Sequence, residues 1–232
     1  MIRTLAFDAD DTLWHNETHY AETQEAFRSL LRQYHDDAWI DERLHATEMR
    51  NLSHYGYGIK GFTLSMIETA LELTEDRLDG AGIRRVVELG KAMLAKPVEP
   101  LPGVAEVLQK LAGAYDLMLI TKGDLFDQET KLVKSGLGGH FSKVEIVSEK
   151  DEAAYAAILE RHGIAPSAFA MVGNSVKSDI LPVLALGARA VHIPYHLTWA
   201  HEVVAAPVDS PFPVLESIRD LPDWLAAQSA QG

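Results

Sequence analysis

The sequence contains no cysteine. That excludes a disulfide scaffold, a thiolate zinc site, an iron–sulfur cluster and a thiol nucleophile. Positive charge is scarce: Lys and Arg number 21 against 34 Asp and Glu, a net charge of −13 at pH 7. No dense Lys/Arg run offsets it, so neither nucleic acid nor an anionic membrane surface is expected as a partner. No apolar stretch approaches the ~20 residues that a membrane span requires. Residues 2–7 read as a strand with Asp8 directly after it, which is not a signal-peptide layout, so a soluble cytoplasmic protein is expected. Repeats and low-complexity segments are also missing. What remains, 232 residues with 47% hydrophobic and 24% charged, is ordinary globular composition, long enough for one or two domains with a real core.

Two patterns alternate along the chain. Short β-rich runs fall at 2–8, 115–121, 143–147, 169–173 and 189–194. Between the last four lie helical segments, at 124–136, at 151–162, and where Ile180, Val183, Leu184 and Gly187 repeat at i, i+3, i+4, i+7. Strand–helix alternation with short apolar strands predicts an α/β fold, a Rossmann-like parallel sheet covered by helices on both faces. Residues 16–96 break the rhythm and carry helical spacing only. Phe62, Met66, Ile67, Ala70 and Leu71 form one stripe, and Ile83, Val86, Val87, Gly90 and Leu94 another. Segments 17–35 and 40–52 are read as two further, more polar helices, and Asn16 and Thr74 suit N-caps. Three prolines in residues 96–102 make a stiff exit. The expected organisation is a catalytic core of 1–15 and 97–232 with an all-helical cap inserted at 16–96, tethered twice in the manner of a hinged lid. The tail is expected to add a strand near Val214 and a helix over 222–228.

Ligands of open parallel sheets sit beyond the carboxyl ends of the strands. There the sequence places Asp8-Ala9-Asp10-Asp11-Thr12, Thr121-Lys122-Gly123-Asp124, Ser148-Glu149-Lys150-Asp151 and Gly173-Asn174-Ser175-Val176-Lys177-Ser178-Asp179. Each loop leads to a helix start, with Asp124, Asp151 and Ser178 as natural N-caps, and free N–H groups there favour anions. Three carboxylates in four residues repel one another unless a cation is present, and a hard ion such as Mg²⁺ prefers oxygen ligands. Asp8 and Asp10 share a side if strand geometry continues, so one can act as nucleophile and the other as acid/base. The plain alternative is a polar turn with N-cap aspartates.

The run Phe7-Asp8-Ala9-Asp10-Asp11-Thr12-Leu13 resembles the D-x-D-x-T signature of the haloacid dehalogenase-like hydrolase superfamily. Thr121 resembles the second signature, Lys150 the third and residues 173–179 the fourth, in order over residues 2–195. The helical insert resembles the family's type I cap. The resemblance implies Mg²⁺-dependent hydrolysis of a small phosphomonoester, with Asp8 as nucleophile and aspartyl-phosphate carrier. Asp10 becomes the general acid/base and Lys150 the counter-charge. Mg²⁺ would be held by Asp8, the Asp10 carbonyl, Asp179 and Asn174. Substrate contacts are expected from Thr121, Lys122, Gly123 and Trp14. Asn174 departs from the usual Asp, Asp11 from a common Gly and Lys122 from a common Asn.

A 2-haloacid dehalogenase is the alternative, disfavoured because such enzymes as a rule lack the second aspartate. A non-catalytic phospho-ligand module and a phosphomutase share the same loops. His192, His196, His201 and Glu202 lack metal-ligand spacing and read as a surface loop anchored by Trp199. The loop Tyr55-Gly56-Tyr57-Gly58 is read either as a substrate-selecting cap loop or as a connector whose tyrosines pack on neighbouring helices. The expected partner is a small phosphorylated metabolite, and the expected assembly a monomer or homodimer.

Overall fold

A computed structural model describes residues 1–204 and 212–229. In chain order the elements are β1 (Thr4–Phe7), α1 (Glu17–Leu31), α2 (Asp37–Tyr55), α3 (Ile59–Leu73), α4 (Gly80–Ala95), α5 (Val104–Leu111), β2 (Asp116–Lys122), α6 (Leu125–Ser135), β3 (Lys143–Val147), α7 (Glu152–His162), β4 (Phe169–Gly173), α8 (Leu181–Ala185), β5 (Arg189–His192) and α9 (Leu221–Ser229). The chain divides into two compact units. One comprises Met1–Glu17, Val98–Lys122 and Gln128–Gly232, the other Thr18–Pro97 with Gly123–Asp127.

The first unit is built on a five-stranded sheet in the order β3-β2-β1-β4-β5, every pair parallel. The central strand β1 is buried at all four positions, as expected for TLAF flanked by strands on both sides. Side chains alternate across it. Leu5 and Phe7 join Leu117, Leu119, Val172 and Val191 on one face, under α5 and α9. Ala6 joins Met118, Ile120, Met171 and Ala190 on the other, against Tyr155, Ile158 and Leu159 of α7 and Val183 of α8. β2 and β4 leave β1 in opposite directions, so the end of β1 is the switch point where this fold places ligands. The two chain segments bordering the insert run side by side, with Leu101 N–H donating to Leu13 O at 2.8 Å and His15 N–H to Glu99 O at 3.2 Å.

The second unit is helical. Phe27 and Leu31 of α1, Ile40 and Leu44 of α2, Phe62, Met66 and Ala70 of α3, and Val86 and Met93 of α4 form its core. A side chain at Gly90 would strike Thr63 Oγ1 at 2.1 Å, so α3 and α4 approach closely because Gly90 has none. Burial pushes the Glu48 carboxyl on α2 up to about 7.

Several local expectations need correction. Thr74 ends α3 instead of starting a helix, and Asp79 caps α4 by accepting from Gly82 N–H at 2.8 Å. The hydroxyl of Thr74 bonds backward to Ala70 O, a use that cap propensity alone does not distinguish. Ser178 lies inside a π-helical turn, Val176–Ile180, whose N-cap is Ser175. α5 follows the proline-rich connector and is not evident in the sequence pattern, because its eight residues are too short to establish a period. Among its described residues the tail supplies a parallel bridge from Val214 to His192, and then α9.

Candidate active site

Asp8 is the first residue past β1, and its N–H donates to Val172 O of β4 at 2.9 Å. Its carboxylate is nearly buried. Lys150 Nζ donates to Asp8 Oδ1 at 2.5 Å and to Asp179 Oδ1 at 2.7 Å, and is itself only 4% exposed. Thr12 Oγ1 donates to Asp8 Oδ2 at 2.9 Å and accepts from Asn174 N–H at 3.1 Å. The atoms around the Asn174 amide are acceptors, so its nitrogen is assigned inward. It then donates to Asp8 Oδ2 at 3.2 Å, Thr12 Oγ1 at 3.1 Å and the Asp10 carbonyl at 3.3 Å. In this arrangement Thr12 donates once and accepts twice, the full capacity of a hydroxyl.

Burial raises the Asp8 carboxyl to about 7 against the opposing pull of Lys150, with Asp179 and Asp10 adding to the rise. Burial alone would lower the Lys150 pKa, but Asp179 and Asp8 outweigh it and hold the ammonium charged. Asp179 is 1% exposed and lies against Gly173, its Oδ2 accepting from Ser175 N–H at 3.0 Å.

Asp10 is held apart from this cluster by groups that the sequence reading missed. Lys131 Nζ lies 3.0 Å from both of its oxygens, Gln128 Nε2 donates to Oδ2 at 3.0 Å, and Trp14 Nε1 donates to Oδ1 at 2.7 Å. Gln128 and Lys131 sit one turn apart on α6, a polar spacing that resembles any solvent-facing helix side until the sheet beneath is known. Asp11 adopts φ 63°, a left-handed backbone conformation that glycine meets without strain. An Asp tolerates it here because Oδ1 accepts from Asn16 N–H at 2.8 Å and Glu17 N–H at 3.0 Å, capping the start of α1. Asp11, not Asn16, therefore serves the first turn, and Asn16 Oδ1 accepts from Lys131 at 2.9 Å.

Thr121 is buried and its Oγ1 accepts from Gln128 at 2.8 Å. Lys122 Nζ contacts Glu202 at 2.6 Å, with Ser178 and Glu149 at 3.3 Å. Trp14 does not line a pocket as the resemblance suggests: it is 1% exposed and packed in the core, its indole donating to Asp10 and its carbonyl accepting from Asp11 N–H at 2.8 Å. Gly123, with φ 152°, groups with the helical unit.

The family model for haloacid dehalogenase-like hydrolases matches residues 2–187. The chain belongs to this family. The pyrimidine 5′-nucleotidase YjjG of Escherichia coli K12 is 28% identical over 189 residues, 76% of this chain and 79% of that protein. The crystal structure of a haloacid dehalogenase-like family hydrolase from Xanthomonas campestris is 42% identical, covers 99% of this chain and 93% of its own, and has a TM-score of 0.88. A 2-haloacid dehalogenase from Pseudomonas syringae shares the fold at 22% identity and a TM-score of 0.64, over 98% of this chain and 100% of its own.

In this haloacid dehalogenase-like hydrolase, Asp8, Asp10, Asp11 and Asp179 face Lys131 and Lys150. The carboxylates outnumber the ammonium groups, and burial also raises Asp11 to about 7. Among the described residues no three His, Cys, Asp or Glu side chains form a metal cluster. Oxygen donors nevertheless converge: the Asn174 amide nitrogen bridges Asp8 Oδ2 and the Asp10 carbonyl, and Lys150 joins Asp8 to Asp179. Asp8, Asp179 and the Asp10 carbonyl present oxygen, Asn174 presents it once its amide turns over, and this set with its excess of negative charge suits a hard divalent cation. Among the described residues, no helix is long and apolar enough to cross a membrane.

Proposed function

We propose that this hydrolase is a Mg²⁺-dependent phosphatase of small phosphomonoesters. The observation that carries the reading is the second carboxylate, Asp10, standing two residues after Asp8 and held by Lys131, Gln128 and Trp14. Displacement of a halide needs no proton donor, whereas expulsion of an alkoxide does.

Asp8 Oδ attacks phosphorus, and the bond from phosphorus to the ester oxygen breaks. Asp10, entering this step protonated, gives its proton to the departing oxygen. Asp10 then takes a proton from water as that water attacks the aspartyl-phosphate, releasing phosphate and restoring Asp8. Lys150 places positive charge beside the nucleophile, where two anions must meet. Thr121 is positioned by Gln128 at the neighbouring strand end to bind a phosphoryl oxygen. Asp8, Asp179, the Asp10 carbonyl and Asn174 would hold Mg²⁺, which would supply further counter-charge and lower the cost of ionising Asp8. The likeness to a pyrimidine 5′-nucleotidase makes nucleoside monophosphates the first substrate class to try.

The test is phosphate release from an aryl phosphate and from a pyrimidine 5′-mononucleotide, with and without Mg²⁺, beside Asp8→Asn. Halide release from a 2-haloacid runs in parallel. Mg²⁺-dependent phosphate release that vanishes in Asp8→Asn is expected. Halide release, or phosphate release surviving in Asp8→Asn, overturns the reading.

A further inference from the structure

Glu202 lies far from the signature loops in sequence, in a 3₁₀ turn over Ala200–Glu202 that follows β5. Its carboxylate gathers donors from two different loops. Lys122 Nζ, one residue after Thr121 at the end of β2, donates to Oε1 at 2.6 Å. The hydroxyls of Ser175 and Ser178, from the loop after β4, donate to Oε2 at 2.5 and 2.6 Å. The turn is anchored a second time, because Lys177 Nζ donates to His201 O at 2.9 Å.

These serines flank the groups that matter. Ser175 follows Asn174, and Ser178 precedes Asp179. Because the Ser175 hydroxyl proton points to Glu202, its oxygen lone pair is free to accept Ser178 N–H at 3.0 Å. Ser175 N–H in turn holds Asp179 Oδ2, and Asp179 N–H donates to Ser175 O at 2.8 Å. Tyr155 closes the turn by donating to Ser178 O at 3.1 Å. One carboxylate therefore sets the hydroxyl directions of a turn whose backbone aims Asp179 and Asn174 at Asp8.

Resting on the phosphatase reading, we propose that Glu202 is a positioning residue that ties the Thr121–Lys122 loop to the 175–179 turn and so presets the cation-binding geometry of Asp179 and Asn174. It also offsets the Lys122 charge, so the phosphoryl group is served by Lys150 and not by Lys122. Burial alone would raise the Glu202 carboxyl, but Lys122 and the two hydroxyls outweigh it and hold it at about 2, so the tie persists at neutral pH.

The test is calorimetric Mg²⁺ titration of the full chain as wild type, Asp8→Asn, Glu202→Gln and Ser178→Ala, with thermal midpoints and steady-state kinetics on an aryl phosphate. Partners beyond the immediate ligands typically contribute roughly 10–100-fold to metal affinity or activity. Glu202→Gln is accordingly expected to bind Mg²⁺ at least about tenfold more weakly, with kcat falling and KM near the wild-type value. A folded Glu202→Gln with unchanged Mg²⁺ affinity overturns the inference while leaving the phosphatase reading intact. Should Glu202→Gln fail to fold, Ser178→Ala, which keeps the Lys122–Glu202 pair, is expected to weaken Mg²⁺ binding severalfold, and no change there overturns the inference. Wild type that binds Mg²⁺ no better than Asp8→Asn overturns the phosphatase reading, and the inference falls with it.

Discussion

Asp179 occupies the space that a side chain at Gly173 would fill: a Cβ built on Gly173 lies 2.3 Å from the Asp179 carboxylate. The glycine and the aspartate six residues later are thus one steric unit. The absent methyl lets a buried acid lie against the end of β4, within reach of Lys150. Gly173→Ala must displace Asp179 or the strand end. We expect a loss of about 1–3 kcal/mol in urea unfolding, as for other overpacked sites. Turnover should fall by at least about tenfold, because the displaced group orients the site. Wild-type turnover in Gly173→Ala would show that Asp179 does not act from this position.

Lys150 is the counter-ion shared by Asp8 and Asp179. Lys150→Met leaves both carboxylates buried without it. Breaking a buried pair in this way costs about 3–5 kcal/mol. Urea unfolding without divalent cation should show that loss. Added Mg²⁺ should recover part of it by binding the same two carboxylates in the folded state only. An equal loss with and without Mg²⁺ would remove Asp8 and Asp179 from the cation site.

Asn174 donates to Asp8 and to the Asp10 carbonyl, a role that no carboxylate can fill. Asn174→Asp exchanges that donor for another negative charge in a cluster already rich in them. The variant should be less stable than wild type without metal, by on the order of 1–3 kcal/mol. It should bind Mg²⁺ more tightly, and calorimetry at matched ionic strength measures both the sign and the size of the change. Unchanged Mg²⁺ affinity would place position 174 outside the cation shell.

Glu48, on α2, has its carboxyl raised by burial to about 7 from an ordinary 4.5. Between those values the folded chain keeps a proton that the unfolded chain has lost. This group's contribution is therefore full below about pH 4.5 and is lost as pH rises through about 7. Glu48→Gln removes the titration. The variant should match wild type near pH 4 and exceed it at pH 8 by on the order of 1–3 kcal/mol. Urea midpoints across this range measure the difference, and parallel pH curves for the two proteins would contradict the assignment.

Much of the protein is determined locally, and so the sequence alone determined it. Short continuous apolar runs mark the strands, because a parallel strand is buried on both faces, and a 3.6-residue repeat marks the helices, which are buried on one. A run such as Asp8-Ala9-Asp10-Asp11-Thr12 at a strand end signals chemistry because adjacent carboxylates are costly without a cation. The family follows from four such signatures in order. Tertiary structure alone decided the rest, wherever a group's role depends on partners distant in sequence. The central place of β1 comes from its pairings with β2 and β4, segments more than a hundred residues away. Gln128 and Lys131 look like any polar helix face until α6 packs beside Asp10. Thr74 and Ser178 carry cap-forming hydroxyls, yet one closes a helix and the other sits within a turn. Trp14 is buried because the core closes over it. Glu202 acquires its partners only when β5 and the turn after it return to the loops following β2 and β4. Hydrogen bonds and ion pairs of this kind are fixed by three-dimensional proximity, and local periodicity carries no record of it.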